Sequence, residues 1–226
     1  MRLNIQPCLA GAQTARGLVM IIDVFRAGNT AAALLNRGAP RVLPVADLDE
    51  AKAIKASHPD WLLIGEREGR KPEGFDMNNS PDQAARLNLV NRPTIMTTSA
   101  GTRGLLAAAP GADVLVMATL VNAWAAAALA RNLQPAYITL VPIGLAAEAP
   151  AIEDQVVAKY IAALIQGESP DYRLTARAML RGRGADRLRR LGQWRDLAYC
   201  LRLDRLAFVP KAEMEKGRLV LRSHYP

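Results

Sequence analysis

Short apolar or β-branched runs alternate along this chain with longer stretches that carry apolar residues at helical spacing. The runs are typical of buried strands and are LVMIIDVF (18–25), RVLPV (41–45), WLLIG (61–65), PTIMTT (93–98), DVLVMA (113–118) and AYITLVPI (136–143). The predicted helices between them are 30–38, 48–58, 81–90, 102–109, 120–133 and 151–167. Strands separated by helices need crossover connections. The pattern therefore predicts an α/β fold with three α/β/α layers and a largely parallel or mixed sheet.

The last quarter of the chain has a different pattern. Residues from 171 onward are mostly helical in pattern, and LAFVP (206–210) and GRLVL (217–221) follow as two predicted edge strands. A chain of 226 residues can bury a sufficient core without disulfides. We expect one domain over 1–226, in which 171–226 could form a sub-lobe.

Charge is unevenly distributed. The net charge is +8, but residues 1–170 are balanced and residues 171–226 hold 14 Lys and Arg against 6 Asp and Glu. The arginines of this quarter are interleaved with Leu and Ala at helical spacing, which favours the solvated faces of amphipathic helices. Nucleic acid is therefore an unlikely partner, although a basic nucleic-acid footprint is an alternative that salt-dependent binding would reveal.

Compartment and assembly are predicted only coarsely. No apolar run is long enough to span a bilayer and no secretory leader is visible, so we expect a soluble protein without a membrane partner. Cys8 and Cys200 have no metal-site or disulfide-framework spacing, which suggests the reducing cytoplasm. A homodimer is possible.

The first candidate site lies where the strand LVMIID ends. Ligands of open α/β sheets bind at the carboxyl ends of strands. Asp23 ends this strand, Arg26 follows three positions later, and Gly28 opens the next helix. A carboxylate, a guanidinium and helix N-terminal amides suit a metal beside a phosphate. In the alternative interpretation, Asp23 only caps the helix and Arg26 pairs with it.

The second candidate is the loop EREGRKPEGFDMNNSP (66–81), which supplies Glu66, Asp76, Asn79 and Ser80. Ser80 followed by a proline and, three positions on, a glutamine is typical of a helix N-cap. Ser80 could therefore be structural, whereas Asn79 has less structural reason to be polar.

Two further junctions carry polar groups before helices. Ser99, Gly101, Thr102 and Arg103 resemble a phosphate cradle, although Gly-Thr at a helix start is common and Arg103 could be solvated. Glu153 and its neighbour Asp154 lie in the first turn of another helix. They could bind a metal or simply complement the helix dipole.

Several kinds of chemistry have no support in the sequence. The two histidines fall on a predicted surface helix and at the tail, and there is no GxxxxGK[ST] or GxGxxG run. Hard oxygen ligands and arginines remain, and these suit Mg²⁺.

Five ordered blocks of the chain resemble the 2-phosphosulfolactate phosphatase family. They are IIDVFRAGNTAAALLNRGA, GEREGRKPEGFDMNNSP, TTSAGTRGL, VNAWAAAA and IEDQVVA, and the ending LGQWRDLAYCLRLDRLAFVP is similar as well. The resemblance implies a Mg²⁺-dependent hydrolase of a small anionic phosphorylated substrate, in a family that acts in coenzyme M biosynthesis. Twelve residues fall on family motif positions: Asp23, Arg26, Glu66, Gly74, Asp76, Asn79, Ser80, Gly101, Thr102, Asn122, Glu153 and Asp154.

These observations together give a predicted site. The catalytic group is Asp23, Arg26 and Glu66, and the metal ligands are drawn from Asp23, Asp76, Glu153 and Asp154. The substrate-binding residues are Asn79, Ser80, Ser99, Gly101, Thr102, Arg103 and Asn122.

The chain departs from the family pattern at Ser99-Ala100-Gly101-Thr102, where Thr-Asn-Gly-Thr is usual. The lost amide leaves substrate identity open. It also leaves open a rival hypothesis, a non-catalytic anion-binding or regulatory protein of the same fold.

Overall fold

The structure is a computed structural model that describes all 226 residues. Ten strands form one mixed sheet in the order β1-β8-β2-β7-β9-β10-β3-β6-β4-β5. The strands are β1 (Arg2–Ile5), β2 (Gly17–Ile22), β3 (Val42–Pro44), β4 (Leu62–Gly65), β5 (Met77–Asn78), β6 (Thr94–Thr97), β7 (Ala112–Met117), β8 (Tyr137–Pro142), β9 (Val209–Glu215) and β10 (Arg218–His224). Strands β1 to β8 pair in parallel, whereas β9 and β10 run antiparallel to each other and to their neighbours.

Helices cover both faces of the sheet. They are α1 (Cys8–Thr14), α2 (Ala27–Asn36), α3 (Leu48–Ser57), α4 (Pro81–Ala84), α5 (Gly101–Ala108), α6 (Ala123–Leu133), α7 (Ile152–Ile165), α8 (Tyr172–Met179), α9 (Arg183–Arg190) and α10 (Trp194–Cys200). A 3-10 turn over Leu120–Asn122 precedes α6. No helix combines the length and the apolarity that a bilayer crossing requires.

Strand β2 shows why the fold has three layers. All six of its residues are buried, and successive side chains of a strand point to opposite faces. Val19 and Ile21 enter the core with α2 and α5, whereas Leu18, Met20 and Ile22 enter the core with α6, α7 and α9. The predicted α/β/α fold with a mixed sheet is therefore confirmed, as are the helices of the last quarter.

The prediction of two late edge strands is wrong. Strands β9 and β10 form a seven-pair hairpin that lies in the middle of the sheet, between β7 and β3. Val209, Val220 and Leu221 are buried there. The position of a strand along the chain does not determine its position in the sheet. The apolar run LVL (219–221) is consistent with a buried, central strand.

Other differences are local. The helix predicted over 81–90 ends at Ala84, and β1, α1 and β5 were not predicted. Strand β1 is largely exposed and so lacks a continuous apolar run. Both cysteines are free and buried, as expected for a chain without a disulfide framework.

Candidate active site

A narrow cavity of about 20 Å³ opens at the carboxyl ends of the strands. Its wall is built from the loops that follow β2, β4, β5, β6 and β8, from the start of α7 and from one side chain of α9. The lining residues are Asp23, Phe25, Arg26, Glu66, Asn79, Ser99, Ala100, Gly144, Leu145, Ala146, Ala151, Glu153, Asp154 and Arg187. This is the position at which open α/β sheets bind ligands.

Asp23 lies one residue beyond β2 and is 7% exposed. Its Oδ1 accepts a hydrogen bond from the Ala27 amide at 3.1 Å, so Asp23 does cap α2. Its Oδ2 faces Gly101, where a Cβ atom would lie only 2.7 Å away. Burial raises the pKa of Asp23 to about 6, and the charge of Glu66 contributes to the rise.

Glu66 ties two loops of the cavity together. Its Oε2 accepts from the Gly69 amide and its Oε1 from the Ser99 amide, each at 2.7 Å. Both oxygens of this buried carboxylate are therefore engaged by the backbone, which fixes the loops after β4 and β6 relative to each other.

Glu153 and Asp154 are buried at the start of α7 and differ in their partners. Asp154 accepts from the amides of Val24 and Gly144, each at 2.9 Å, and so joins the loops after β2 and β8. Glu153 Oε1 accepts from the Gly184 amide at 3.0 Å, whereas its buried Oε2 has no hydrogen-bond partner. Burial raises the pKa of both carboxyls, and the charge of Asp23 adds to the rise for Asp154.

Arg26 is 2% exposed and is held by a carboxylate that the sequence analysis did not single out. Its Nη1 donates to Asp196 Oδ2 at 2.6 Å, and its Nη2 donates to the Gly69 carbonyl at 3.2 Å. The alternative that Arg26 pairs with Asp23 is wrong. Asp196 Oδ1 also accepts from the Ser80 hydroxyl at 2.6 Å, so a buried Arg26–Asp196–Ser80 network braces this wall.

Ser80 itself does not line the cavity. Its hydroxyl accepts from the Gln83 amide at 3.2 Å while donating to Asp196, which confirms the predicted N-cap. Asn79, next to it, does line the cavity and is 2% exposed. Its buried Oδ1 has no hydrogen-bond partner.

The start of α5 lies against the cavity through Ser99 and Ala100. Gly101 is required for close packing, because a Cβ there would lie 2.6 Å from the Cβ of Ala27. Thr102 is turned away from the cavity: its amide donates to Thr98 Oγ1, and its hydroxyl donates to the Thr98 carbonyl.

Three further predicted site residues lie outside the cavity. Asp76 accepts from the Leu63 amide and from Lys55, so it supports β4 rather than joining the carboxylates predicted to bind metal. Asn122 caps the turn before α6 by accepting from Thr119. Arg103 donates to the Ala146 carbonyl at 2.9 Å and so fastens the loop after β8.

Arg187 reaches the cavity from α9 and is not among the site residues predicted from the sequence. Its signal was hidden because it is one of several arginines in a segment interpreted as a solvated helix face. Asp196 was equally inconspicuous within the block that resembles the family's ending.

Charge and donor type determine what the cavity can hold. Four carboxylates line it and two arginines oppose them, one of which is neutralised by Asp196. No three acidic, histidine or cysteine side chains converge well enough to hold a metal ion by themselves. Glu153 and Asn79 line the cavity and each has a buried oxygen without a hydrogen-bond partner, and Mg²⁺ typically takes one or two carboxylates, with water and phosphate oxygens completing its shell. The residues present therefore fit Mg²⁺.

Comparisons with known proteins agree with one another. The sequence profile of a protein family described as 2-phosphosulpholactate phosphatase matches residues 5–215. The probable 2-phosphosulfolactate phosphatase of Thermus thermophilus is 33% identical over 219 residues, which cover 90% of this chain and 91% of the relative. The protein of the same name from Carboxydothermus hydrogenoformans is 33% identical over 91% of this chain and 90% of its own length. The corresponding protein from Symbiobacterium thermophilum is 33% identical over 97% and 99%.

Proposed function

The chain belongs to the 2-phosphosulfolactate phosphatase family, and we propose that it is a Mg²⁺-dependent, cytoplasmic phosphatase of a small acidic phosphate monoester. The substrate is 2-phosphosulfolactate or a close relative, and the products are the hydroxy acid and phosphate. The relatives of that name support the reaction, and the cavity supports the assignment of residues.

The proposal that the site binds a metal ion rests on one observation. An anionic ester has to enter a cavity lined by four carboxylates, where burial raises the pKa of three. Like charges in a buried site repel strongly. A divalent cation would offset that repulsion and bring the phosphate oxygens close to the carboxylates.

Glu153 and Asn79 would hold Mg²⁺ through their oxygens without hydrogen-bond partners, and Asp23 would join them as a carboxylate that lines the same cavity. Bound there, Mg²⁺ would polarise the phosphoryl group and lower the pKa of a water molecule. Glu66 and Asp154 have no free oxygen, and their role is to hold the surrounding loops in place.

The chain's own groups position the ester. The start of α5 lies against the cavity at Ala100, which would bring the positive end of the helix dipole close to the phosphate oxygens. Arg187 is the cation that can approach the substrate, whereas Arg26 is held by Asp196. Asp23 lies beside Gly101 at the start of α5 and would act on the phosphorus centre, as nucleophile or by orienting water.

The test is a turnover assay on the purified protein. We expect phosphate release from 2-phosphosulfolactate with Mg²⁺ and none with a chelator. Asp23→Asn should reduce kcat by at least about 100-fold, the scale on which one aligned catalytic group acts. Asp76→Asn is the matched control, because Asp76 lies outside the cavity, and it should retain activity.

Two results would change this assignment. Equal losses in the Asp23 and Asp76 variants would place the chemistry elsewhere. Absence of turnover across a panel of phosphomonoesters with Mg²⁺, Mn²⁺ or Ca²⁺ would favour the non-catalytic anion-binding alternative.

A further inference from the structure

Arg187 is the one cation of the cavity wall whose donors are largely unengaged. Its only hydrogen bond is a long one, 3.4 Å from Nη2 to the Phe25 carbonyl, and its buried Nε has no partner. Arg26 lies on the same wall, and its two terminal nitrogens donate hydrogen bonds to Asp196 and to the Gly69 carbonyl. A buried guanidinium donor without an acceptor retains a desolvation cost that an anionic ligand would remove.

None of the other cations of the neighbouring loops lines the cavity, and several are bound elsewhere. Arg67 donates to the carbonyls of Glu66 and Ala46 and to Thr97, and Lys71 donates to the Phe75 carbonyl. Arg103 is bound to the Ala146 carbonyl. A second anionic group of a substrate therefore has a single free partner in the wall.

The position of Arg187 is fixed by its neighbours. Its Cδ and Nε would each lie 3.6 Å from a Cβ placed on Gly69, so the side chain packs over the glycine that also receives Arg26. At the start of the same helix, the Gly184 amide is bound by Glu153. The helix that carries Arg187 is thereby anchored to Glu153, one of the residues proposed to hold the metal ion.

We propose that Arg187 is a specificity-determining residue that binds the non-phosphate anion of the substrate, a sulfonate or carboxylate on the carbon chain. The inference rests on the proposed function for the identity of the cavity. It goes beyond it by assigning recognition of the second anion to the basic C-terminal quarter, through a planar fork that suits a sulfonate or carboxylate.

Binding measurements test this independently of turnover. Calorimetry would compare sulfolactate, which has the sulfonate and carboxylate but no phosphate, with inorganic phosphate, both with Mg²⁺ present. In Arg187→Gln we expect the Kd for sulfolactate to rise by roughly 10- to 100-fold, the scale of one lost charge-assisted hydrogen bond. The Kd for phosphate should change by less than about threefold. This is smaller than the tenfold change that corresponds to the free energy of one pKa unit.

Arg190→Gln is the matched control, because Arg190 is an exposed arginine on the same helix. It removes the same net charge and should leave both affinities unchanged. Arg187→Lys keeps the charge but not the fork, and it should lie between Arg187→Gln and the wild type.

Three outcomes would overturn the inference: no detectable binding of sulfolactate by the wild type, an equal weakening of both ligands in Arg187→Gln, or weakening confined to phosphate. Turnover of an aryl phosphate separates this inference from the proposed function. A wild type that hydrolyses aryl phosphate and an Arg187→Gln variant that binds sulfolactate normally would refute the role of Arg187 alone.

Discussion

Single residues in this protein are often polar for structural reasons that a motif does not reveal. Ser80 and Asn79 are adjacent, yet the first caps α4 and the second lines the cavity. The Ser-Pro capping pattern could be interpreted correctly because capping is a local interaction. Asp196 could not be found in the same way, since its partners Arg26 and Ser80 are more than 100 positions away along the chain.

The Arg26–Asp196 pair predicts a large stability effect. Both side chains are buried, so removing one partner leaves the other charge without compensation. Asp196→Ala should lower the free energy of unfolding by about 3 to 5 kcal/mol. Urea unfolding followed by circular dichroism measures the change.

Asp186→Ala provides the control for that experiment. Asp186 forms an exposed pair with Arg189, and exposed pairs contribute little, about 1 kcal/mol or less. If the Asp196 and Asp186 variants were equally stable, the buried pair would have to be dismissed as a stabilising interaction.

The alanine at position 100 leads to a prediction about substrate preference. Its side chain lines the cavity, at the position where the family resemblance implies an asparagine. Ala100→Asn should raise kcat/KM for 2-phosphosulfolactate if this chain acts on a relative of it, because the amide adds a donor to a buried anion site. Steady-state kinetics on 2-phosphosulfolactate and on the best substrate of the panel would detect a gain on the first with a loss on the second. Parallel losses on both, with an unchanged Tm, would show that the loop no longer accommodates the family's side chain.

Helices and strands were predicted well where the local sequence pattern determines the element. The positions of strands in the sheet were predicted poorly, because they depend on pairing with distant strands. The run LVMIID is apolar on both faces, and β2 is indeed buried on both. The segments LAFVP and GRLVL are also apolar, but their antiparallel hairpin lies between β7 and β3. Nothing local in the sequence of β7 or β3 indicates that each pairs with a strand from the end of the described chain.

The central position of β10 predicts a measurable asymmetry between strands. Leu221 is fully buried, so Leu221→Ala should cost about 2 to 5 kcal/mol of unfolding free energy. Leu3→Ala, in the largely exposed edge strand β1, should cost much less. Chemical denaturation of the two variants makes the comparison, and equal costs would contradict the placement of β10 at the centre of the sheet.

At the scale of the whole molecule, the sequence predicted the α/β/α architecture and the edge of the sheet at which the cavity opens. It did not predict that the basic quarter would contribute Arg187 to the cavity and Asp196 to its support. A helical pattern of arginines interleaved with leucines is compatible both with a solvated helix face and with a helix that lines a cavity. Only packing of α9 against the loops after β2 and β4 distinguishes the two.

The crowded carboxylates predict how stability depends on pH in the metal-free protein. Burial raises the pKa of Asp23 from 3.8 to about 6, and raises the pKa of Glu153 and Asp154 as well. The folded protein then binds more protons than the unfolded chain between these values. The stabilising contribution is complete below the unfolded pKa and is lost as the pH rises through about 6.

The measurement is Tm with a chelator present at about pH 5 and about pH 7.5. We expect Tm to be lower at the higher pH by several degrees, and the difference to shrink when Mg²⁺ is added or in Asp23→Asn. A Tm that rises with pH in the chelated wild type would show that these carboxyls ionise without cost.

The central hairpin also has a consequence for the order in which the protein can be completed during translation. Strands β7 and β3 are both synthesised before β9 and β10, yet they acquire these neighbours only after residues 209–224 have left the ribosome. Until then, each half of the sheet presents an unpaired inner edge, and such edges readily pair with other chains. A nascent chain, or one that ends prematurely before Val209, thus exposes the edges of β7 and β3. In the folded enzyme these edges are paired with β9 and β10 at the centre of the sheet.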